Sequence, residues 1–159
     1  MDIVIERACL EDAQKLIETR NLSFYDDFIN YGKCPAYNNT MESMERRIKI
    51  AYLYKILIYG EIIGDICIKK RGEGYYWIAW FEIIPKFQNK EIGTKALTYV
   101  LTQFPEADRW ELDTPIQNPR NLYFYEKMGF VMVRDKVQSE KLTLRHYRKT
   151  ISAPTGIIK

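Results

Sequence analysis

A mixed α/β or α+β fold is predicted by two observations on the amino-acid sequence. Stretches with the two-residue apolar period of strands alternate with stretches that repeat every three to four residues, as helices do. Their order is strand, helices, three strands, helix, strand, helix and two strands, which indicates a mixed sheet. Because no internal repeat or linker-like stretch interrupts this pattern, we expect a single domain at residues 1–151 and a loosely held tail at 152–159.

Each predicted element rests on its own local pattern. β-Branched and aromatic residues fill the strands, whereas apolar residues on one side, such as Ala96, Leu97 and Val100, mark a helix. Gly129 is expected to end the last helix, since glycine readily adopts the left-handed conformation found there. The first half of the chain is predicted to contain a strand at 2–8, a helix at 10–20, a helix fragment plus loop in the aromatic stretch at 21–39, a helix at 41–54 and two strands joined at Gly60 and Glu61 within 55–70. The second half is predicted to contain a strand at 75–85, a helix at 93–104, a strand at 109–115, a helix at 118–128 and a hairpin at 131–138 and 141–151.

The composition excludes several classes of protein. The chain has 159 residues, of which 47% are hydrophobic and 28% charged, as in an ordinary globular protein. The net charge is +3, and Lys and Arg are interleaved with acids, so we expect no nucleic-acid partner. Three cysteines without a CxxC spacing, together with a single histidine, predict neither a disulfide framework nor a metal site.

The amino terminus predicts a cytoplasmic protein without a membrane segment. Acidic residues stand among the first positions, where a secretory signal would have a basic start and an apolar run. No segment approaches the ~18 consecutive apolar residues of a membrane span.

An anion-binding turn is predicted where the strand that ends at Pro85 leads into the helix that begins near Gly93. The first amides of a helix lack partners within the helix, and the helix dipole adds partial positive charge there. Gly93 lets backbone N–H groups approach phosphate oxygens, while Thr94 adds a hydroxyl and Lys90 a positive charge. A strand–turn–helix with one glycine is more often a plain connection, so this pattern alone does not decide the function.

Two motifs lie in and after this turn. Ile83-Ile84-Pro85 is followed by Gln88-Asn89-Lys90-Glu91-Ile92-Gly93, and further along Asn118 and Asn121 precede Tyr125-Glu126-Lys127 and Gly129-Phe130. Together they resemble the GNAT superfamily of N-acetyltransferases. That family has a Gln/Arg-x-x-Gly-x-Gly/Ala turn after a strand that ends in hydrophobic-x-Pro, and later an Asn-led helix that ends in Tyr-Glu-Lys-x-Gly-Phe. The resemblance covers nearly the whole chain in element order and residues 77–131 in motif detail.

The resemblance implies a mostly antiparallel central sheet of about seven strands and about four flanking helices, with a splayed parallel strand pair that holds acetyl-CoA. The amides of residues 88–94 would hold the pyrophosphate, and the strand backbone at Ile83 would pair with the pantetheine arm and polarise the thioester carbonyl. Asn118 would position that arm, and Tyr125 would protonate the departing thiolate as general acid. Direct attack by an amine needs no covalent intermediate, which agrees with the lack of a Ser-His or Cys-His constellation. The implied cofactor residues are Ile83, Ile84, Gln88, Asn89, Lys90, Glu91, Ile92, Gly93, Thr94, Asn118 and Tyr125.

Glu91 departs from the family pattern, because it stands where the turn would have its first glycine. If that position needs a positive φ, glutamate fits it poorly, and a side chain that faced the pyrophosphate would repel it. Alternatively, Glu91 points outward and leaves the amides unchanged, since an acid in a first helical turn is favourable. We expect this outward orientation, whereas the other would imply weak cofactor affinity or a lapsed enzyme.

Two carboxylates are candidates for the general base that removes a proton from the acceptor ammonium. Glu82 lies near the end of the long strand, and Asp113 stands at a position that is acidic in some members of the resembled family. Glu111 would share a face with Asp113, because side chains alternate along a strand. His146 is expected to be structural or solvent-facing, and Cys67 to belong to the core.

Residues 21–39 occupy the region that covers the acceptor cleft in the resembled family. Ring faces and carboxylates in this stretch could bind a cationic amine, and a surface helix with a packed aromatic side is an equally open interpretation. We predict a small-molecule or peptide amine as acceptor. The substrate-binding candidates are Tyr25, Phe28 and Tyr31, with Tyr37, Asp26 and Asp27 beside them.

Three functions stay open at this stage. The predicted one is an acetyl-CoA-dependent N-acetyltransferase, and Glu91 motivates the alternative of a GNAT-like module that binds CoA without catalysis. A third is a nucleic-acid or protein interaction domain built on the basic final hairpin, although such a charge run is usually a solvated face. We expect a monomer or a homodimer, in which an exposed strand at 141–151 could pair with a second copy. The basic residues of the hairpin are Lys141, Arg145, Arg148 and Lys149.

Overall fold

The computed structural model describes residues 2–88 and 90–151, so Asn89 and the predicted tail at 152–159 lie outside the described residues. Within those ranges the chain forms seven strands and four helices, and no helix there is long and apolar enough to cross a membrane. The strands are β1 Ile3–Arg7, β2 Tyr52–Ile58, β3 Glu61–Gly72, β4 Tyr75–Ile83, β5 Arg109–Pro115, β6 Val131–Val137 and β7 Thr143–Thr150. The helices are α1 Ala13–Tyr31, α2 Met41–Ile50, α3 Ile92–Thr102 and α4 Pro119–Lys127, with 3₁₀ turns at Leu10–Asp12 and Pro85–Phe87.

The sheet has the strand order β1-β2-β3-β4-β5-β7-β6. β2 pairs with β1 and β3, and β7 pairs with β5 and β6, in antiparallel ladders. β4 and β5 run parallel, with residues 75–77 aligned on residues 109–111. The predicted mixed sheet of seven strands with four helices is therefore confirmed.

The chain divides into two compact units, and the first comprises Met1–Lys69 and Ala79–Phe104. Its helices α1 and α2 pack through a buried apolar cluster, in which Cys67 is fully buried, as the sequence predicts. Ala79 and Trp80 of β4 pack against this cluster and so anchor the end of β4 that carries Glu82. The cluster consists of Ala13, Leu16, Ile17, Met44, Ile48, Ala51, Leu53, Ile62 and Cys67.

The second unit comprises Lys70–Ile78 and Pro105–Lys159. Here α4 packs on β5 and β7, since Asn121 Nδ2 lies 3.3 Å from Thr114 Oγ1 and the Tyr125 ring lies 6.2 Å from the Tyr147 ring. Because side chains alternate along a strand, Thr114 faces α4 whereas Glu111 and Asp113 face the opposite side of the sheet. The two faces of β5 thus carry different chemistry.

The interruption predicted near Arg20 is wrong, because α1 continues to Tyr31, so the helix fragment predicted in 21–39 is the second half of α1 and the predicted loop follows it. No glycine or proline interrupts this stretch, and Gly32 then ends the helix with a φ of 77°. The second half of α1 is mostly exposed or half-buried, so it lacks the one-sided apolar pattern that identifies a helix in a sequence.

Two other sequence predictions are also wrong. The helix predicted at 41–54 ends at Ile50, because residues from Tyr52 onward form β2 and pair with neighbouring strands on both sides. Pairing across the sheet here outweighs a local helix-like pattern. The strand predicted to be exposed at 141–151 is internal, since β7 lies between β5 and β6, and β6 is the strand at that edge.

Candidate active site

In the first unit, β4 leads through a short turn into the amino terminus of α3. Ile84 N donates to Ile63 O at 2.9 Å, so the N–H and C=O groups of Ile83 point to the opposite edge of β4. On that edge Gln88 Nε2 donates to Ile83 O at 2.8 Å and folds the Gln88 side chain back onto the strand. The Ile83 N–H, rather than that of Ile84, is therefore directed away from β3.

Glu91 adopts the left-handed conformation, with φ 61° and ψ 8°, immediately before α3. This conformation costs a residue other than glycine about 1 kcal/mol or more. The Glu91 side chain is exposed and makes no capping hydrogen bond. Two features that the sequence analysis treated as alternatives therefore occur together at Glu91. Its backbone has the unfavourable positive φ, and its side chain points outward. Gly93 and Thr94 follow in the first turn of α3, where amides lack helical partners.

Glu82 is buried beside a second carboxyl group, Asp65 of β3, and we call these two residues the buried carboxyl pair. Arg20 donates to Asp65 Oδ2 through Nε at 2.9 Å and Nη2 at 2.6 Å, and Ser23 Oγ donates to Glu82 Oε2 at 2.6 Å. The other oxygens, Asp65 Oδ1 and Glu82 Oε1, are buried and have no donor among the described residues. Burial and then the neighbouring Asp65 raise the pKa of Glu82 well above its ordinary value. The two carboxyl side chains interact through a hydrogen bond, which requires a proton on one of them.

The aromatic candidates for acceptor binding are only partly brought together. Tyr37 stacks on Phe28 with ring centroids 4.6 Å apart and lies 6.1 Å from Tyr25 in a tilted orientation. Tyr25 and Phe28 stay 50% and 38% exposed, so this three-ring group presents ring surface to solvent. Tyr31 stands outside that group, and burial followed by the charge of Asp27 raises the pKa of Tyr31.

In the second unit, Tyr125 is the buried residue of α4. Its ring contacts those of Phe124, Phe130 and Tyr147, with centroids 5.1 to 6.2 Å apart. Gly129, with a φ of 94°, turns the chain after α4, and Phe130 N donates back to Tyr125 O at 3.0 Å. Burial alone raises the pKa of the Tyr125 hydroxyl far above its ordinary value, so this phenol keeps its proton at neutral pH.

The two motif asparagines fix the start of α4. Asn118 Oδ1 accepts a hydrogen bond from Asn121 N at 3.1 Å, which caps the helix, and Asn121 in turn reaches Thr114 on β5. Asn118 therefore has a helix-capping role in the structure, beside the cofactor role that the sequence predicts for it.

On the opposite face of β5, His146 bridges the two carboxylates Glu111 and Asp113. Its Nε2 lies 2.5 Å from Glu111 Oε1, and its Nδ1 lies 2.7 Å from Asp113 Oδ1. Arg148 Nε also donates to Glu111 Oε2, at 2.9 Å. Burial acts to raise the pKa of Glu111, but the hydrogen bonds from Arg148 and His146 lower it overall. We call Glu111, His146 and Asp113 the carboxylate–histidine array.

Sequence reasoning did not connect His146 with these carboxylates. The shared face of Glu111 and Asp113 was the local signal, but His146 arrives opposite Asp113 only through the pairing of β5 with β7. Trp77 completes the surroundings, with its ring stacked on the imidazole at 5.5 Å. Among the residues that the structure describes, no group of three or more His, Cys, Asp or Glu is arranged to hold a metal ion. The absence of a metal stays a prediction.

Most basic residues of the final hairpin already have partners within the protein. Arg145 donates to Asp135 at 2.8 and 3.0 Å, and Lys149 Nζ donates to Met128 O at 2.9 Å. Arg148 binds Glu111, as described above. These contacts favour a structural role for the basic run over a nucleic-acid surface.

Comparison with known proteins gives matches over most of the chain. Residues 13–130 match the model of a family described as the acetyltransferase (GNAT) family. The uncharacterized protein YrkN of Bacillus subtilis (strain 168) is 29% identical over 104 residues, which are 64% of this chain and 55% of that protein. The matched part of the chain thus spans about half the length of this curated relative.

Two solved structures have similar folds. The PaiA N-acetyltransferase from Thermoplasma acidophilum, in complex with coenzyme A, has a TM-score of 0.78 at 18% identity, with 95% of this chain and 100% of that chain covered. The ribosomal-protein-S18-alanine N-acetyltransferase from Escherichia coli has a TM-score of 0.79 at 10% identity, with 99% of each chain covered. At sequence identities this low, the similarity establishes only that the folds are alike.

Proposed function

Because the chain belongs to the acetyltransferase (GNAT) family and is an acyltransferase, we propose that it moves an acetyl group from acetyl-CoA to a primary amine of a small molecule or a peptide. The observation that carries this proposal is Tyr125, a buried phenol that keeps its proton at the motif position of a general acid. A thiolate leaving group needs such a donor when the amine displaces it. Acetyl-CoA acts as co-substrate, and no metal takes part.

Residues of the β4–α3 turn hold the cofactor in this proposal. The Ile83 N–H, directed away from β3, polarises the thioester carbonyl, and the strand backbone at Ile83 and Ile84 pairs with the pantetheine arm. Gln88 competes for the Ile83 carbonyl at 2.8 Å, so its side chain has to swing away when the arm binds there. Backbone amides take the pyrophosphate. The residues assigned to the turn are Gln88, Asn89, Lys90, Glu91, Ile92, Gly93 and Thr94, and Asn118 positions the arm.

Asp113 is the first candidate for the general base, and Glu82 is the second. The Asp113 side chain is 32% exposed, so a ligand can reach it, and it lies on the face of β5 opposite to α4. Glu82 is 5% exposed, and its raised pKa means that it already holds the proton that a base would have to accept. With Asp113 as the base, the amine is deprotonated on one face of β5, and Tyr125 protonates the thiolate on the other face.

The acceptor is proposed to be a cationic amine that the exposed rings of α1 recognise. Tyr25 and Phe28, packed around Tyr37, offer ring faces to an ammonium group, and Tyr31, Asp26 and Asp27 lie on the same helix. One similar structure is that of a ribosomal-protein-S18-alanine N-acetyltransferase, which supports including peptide amines among the acceptors. We further propose residues 1–151 as one acyltransferase domain, working in the cytoplasm as a monomer or homodimer without nucleic-acid or membrane partners.

A second candidate function is a CoA-binding module without catalysis, which the left-handed backbone at Glu91 favours. Strain in the phosphate turn and an added negative charge beside it would both lower cofactor affinity. In that case Glu91→Gly would raise the affinity for CoA while no amine is acetylated.

Calorimetry with CoA and a turnover assay with acetyl-CoA separate these candidates. Acetyl transfer to a panel containing a polyamine, a lysine peptide and a peptide with a free amino terminus is expected for the wild type. Tyr125→Phe is expected to lower kcat by about 100-fold or more without loss of CoA binding. Tyr123→Phe is the matched control, because Tyr123 is 71% exposed on the same helix. Full activity of Tyr125→Phe refutes the acid role, and CoA binding without transfer to any amine supports the non-catalytic module.

A further inference from the structure

We propose that the carboxylate–histidine array is a proton relay for the acceptor amine, in which Asp113 takes the proton and His146 stores it. The inference rests on the acetyl transfer proposed above and adds His146 and Glu111 to it. His146 acts through Asp113 and is a positioning and relay residue, whereas Asp113 is the group that meets the ammonium.

Counting hydrogens in the array supports this role. Both ring nitrogens of His146 lie within hydrogen-bond distance of carboxylate oxygens, at 2.5 and 2.7 Å. A neutral imidazole has one N–H and one lone pair, so one of the two contacts would set a lone pair against a carboxylate oxygen. A second hydrogen turns both contacts into charge-assisted hydrogen bonds. In the neutral array one of the two contacts therefore lacks a hydrogen, and an added proton completes it.

The surroundings make Asp113 the entry point. Glu111 is 4% exposed, and its Oε2 lies close to Arg148 Nε and 3.2 Å from Arg109 Nε. Its carboxylate is therefore enclosed and kept ionised. Asp113 keeps a solvent-exposed side. The stacked Trp77 covers one face of the imidazole, and Arg134 of β6 is aligned with His146. The charged and titratable groups around the array are Arg71, Tyr75, Arg109, Arg134 and Arg148.

The proton transfer balances in two steps. An N–H bond of the acceptor ammonium breaks and an O–H bond forms at Asp113, which leaves the amine with the lone pair that attacks the acetyl carbonyl. The proton then moves along the 2.7 Å contact to His146 Nδ1, and Asp113 is again a carboxylate. The imidazolium stays between two carboxylates until Asp113 returns the proton to water.

The single histidine of the chain allows a direct test. Nitrogen-15 labelling of histidine in the full chain gives one pair of ring signals, whose pH titration is compared with the pH profile of kcat/KM for acetyl-CoA and the best amine of the panel above. We expect the midpoints of the two curves to coincide. Midpoints that differ would overturn the relay.

Variants of His146 give the second readout. His146→Gln keeps a donor and an acceptor but cannot take up a proton, so we expect kcat/KM to fall about 100-fold at neutral pH and to lose its rise with pH. Arg145→Gln is the control, since Arg145 is the next residue on β7 and binds Asp135 instead. If the wild type acetylates amines and His146→Gln keeps the wild-type pH profile, the relay is refuted and the proposed function stands. If the wild type acetylates no amine of the panel, the proposed function fails and the relay fails with it.

Discussion

The buried carboxyl pair and the carboxylate–histidine array both place acidic groups close together, but they differ in access to solvent. Asp65 and Glu82 are enclosed with Arg20, so the charge of one is neutralised by the arginine and that of the other by a proton. In the array, Asp113 keeps an exposed side and its Oδ1 lies 2.7 Å from His146 Nδ1. A carboxyl group that a substrate cannot reach affects only the stability of the fold, and one that it can reach is available for chemistry.

Asp65→Asn is expected to have the largest effect, because it removes the carboxylate that Arg20 contacts and leaves the counter-charge to Glu82, which must then lose its proton in a buried site. We expect the free energy of unfolding to fall by about 3–5 kcal/mol. Urea unfolding of the full chain measures this loss. Glu111→Gln is the matched change in the array, and it should cost about 1 kcal/mol or less, because its arginine partners are 41% and 42% exposed. Equal losses in the two variants would contradict the proposed difference between the clusters.

Glu82→Gln tests whether the buried pair holds a proton. With its raised pKa, Glu82 binds a proton in the folded chain at pH values where the unfolded chain has lost it, so the free energy of unfolding decreases as pH rises towards the raised pKa. An amide in place of the acid can donate to Asp65 without any proton uptake. We therefore expect Glu82→Gln to be more stable than the wild type by about 1 kcal/mol in mildly alkaline buffer, with a smaller gain in mildly acidic buffer.

Thermal unfolding at several pH values, with Ser23→Ala as a second variant, checks this prediction. Ser23→Ala removes the hydroxyl that donates to Glu82 but leaves the carboxyl pair in place. It should keep the pH dependence that Glu82→Gln loses. A stability difference between Glu82→Gln and the wild type that is constant with pH would mean that Glu82 is already ionised.

The contribution of the carboxylate–histidine array to the free energy of unfolding should show the opposite pH dependence. It is the smallest of the effects predicted here. The pKa of Glu111 is lowered in the folded chain, so its contribution is present above the ordinary pKa and disappears as pH falls through the lowered one. We expect Glu111 to contribute less than about 1 kcal/mol to the free energy of unfolding, because water screens its exposed arginine partners. Added salt should reduce this contribution further. Acid unfolding of wild type and Glu111→Gln at low and high salt measures it. If both proteins lose stability with falling pH in the same way, Glu111 contributes nothing to the pH dependence of unfolding.

The order of helices and strands along the chain and the two motifs could be predicted from the sequence, because periodicity and motif spacing are local properties. It did not predict the end of α1, whose second half lacks a one-sided apolar pattern, or the start of β2, which depends on pairing with β1 and β3. For the site, the motif located Tyr125, and the alternation along β5 put Glu111 and Asp113 on one face. The link to His146 and the pairing of Glu82 with Asp65 required contacts between distant segments, which no local pattern contains.

The most direct test of this account is the pH dependence of acetyl transfer in Asp113→Asn compared with Glu82→Gln. Both changes replace a carboxyl group with an amide of the same shape, and both assays use acetyl-CoA with the same amine. We predict that Asp113→Asn lowers kcat/KM about 100-fold at neutral pH and abolishes its rise with pH, whereas Glu82→Gln stays within about threefold of the wild type. The reverse result, with the large loss in Glu82→Gln and wild-type behaviour in Asp113→Asn, would contradict the account and assign the base to the buried pair.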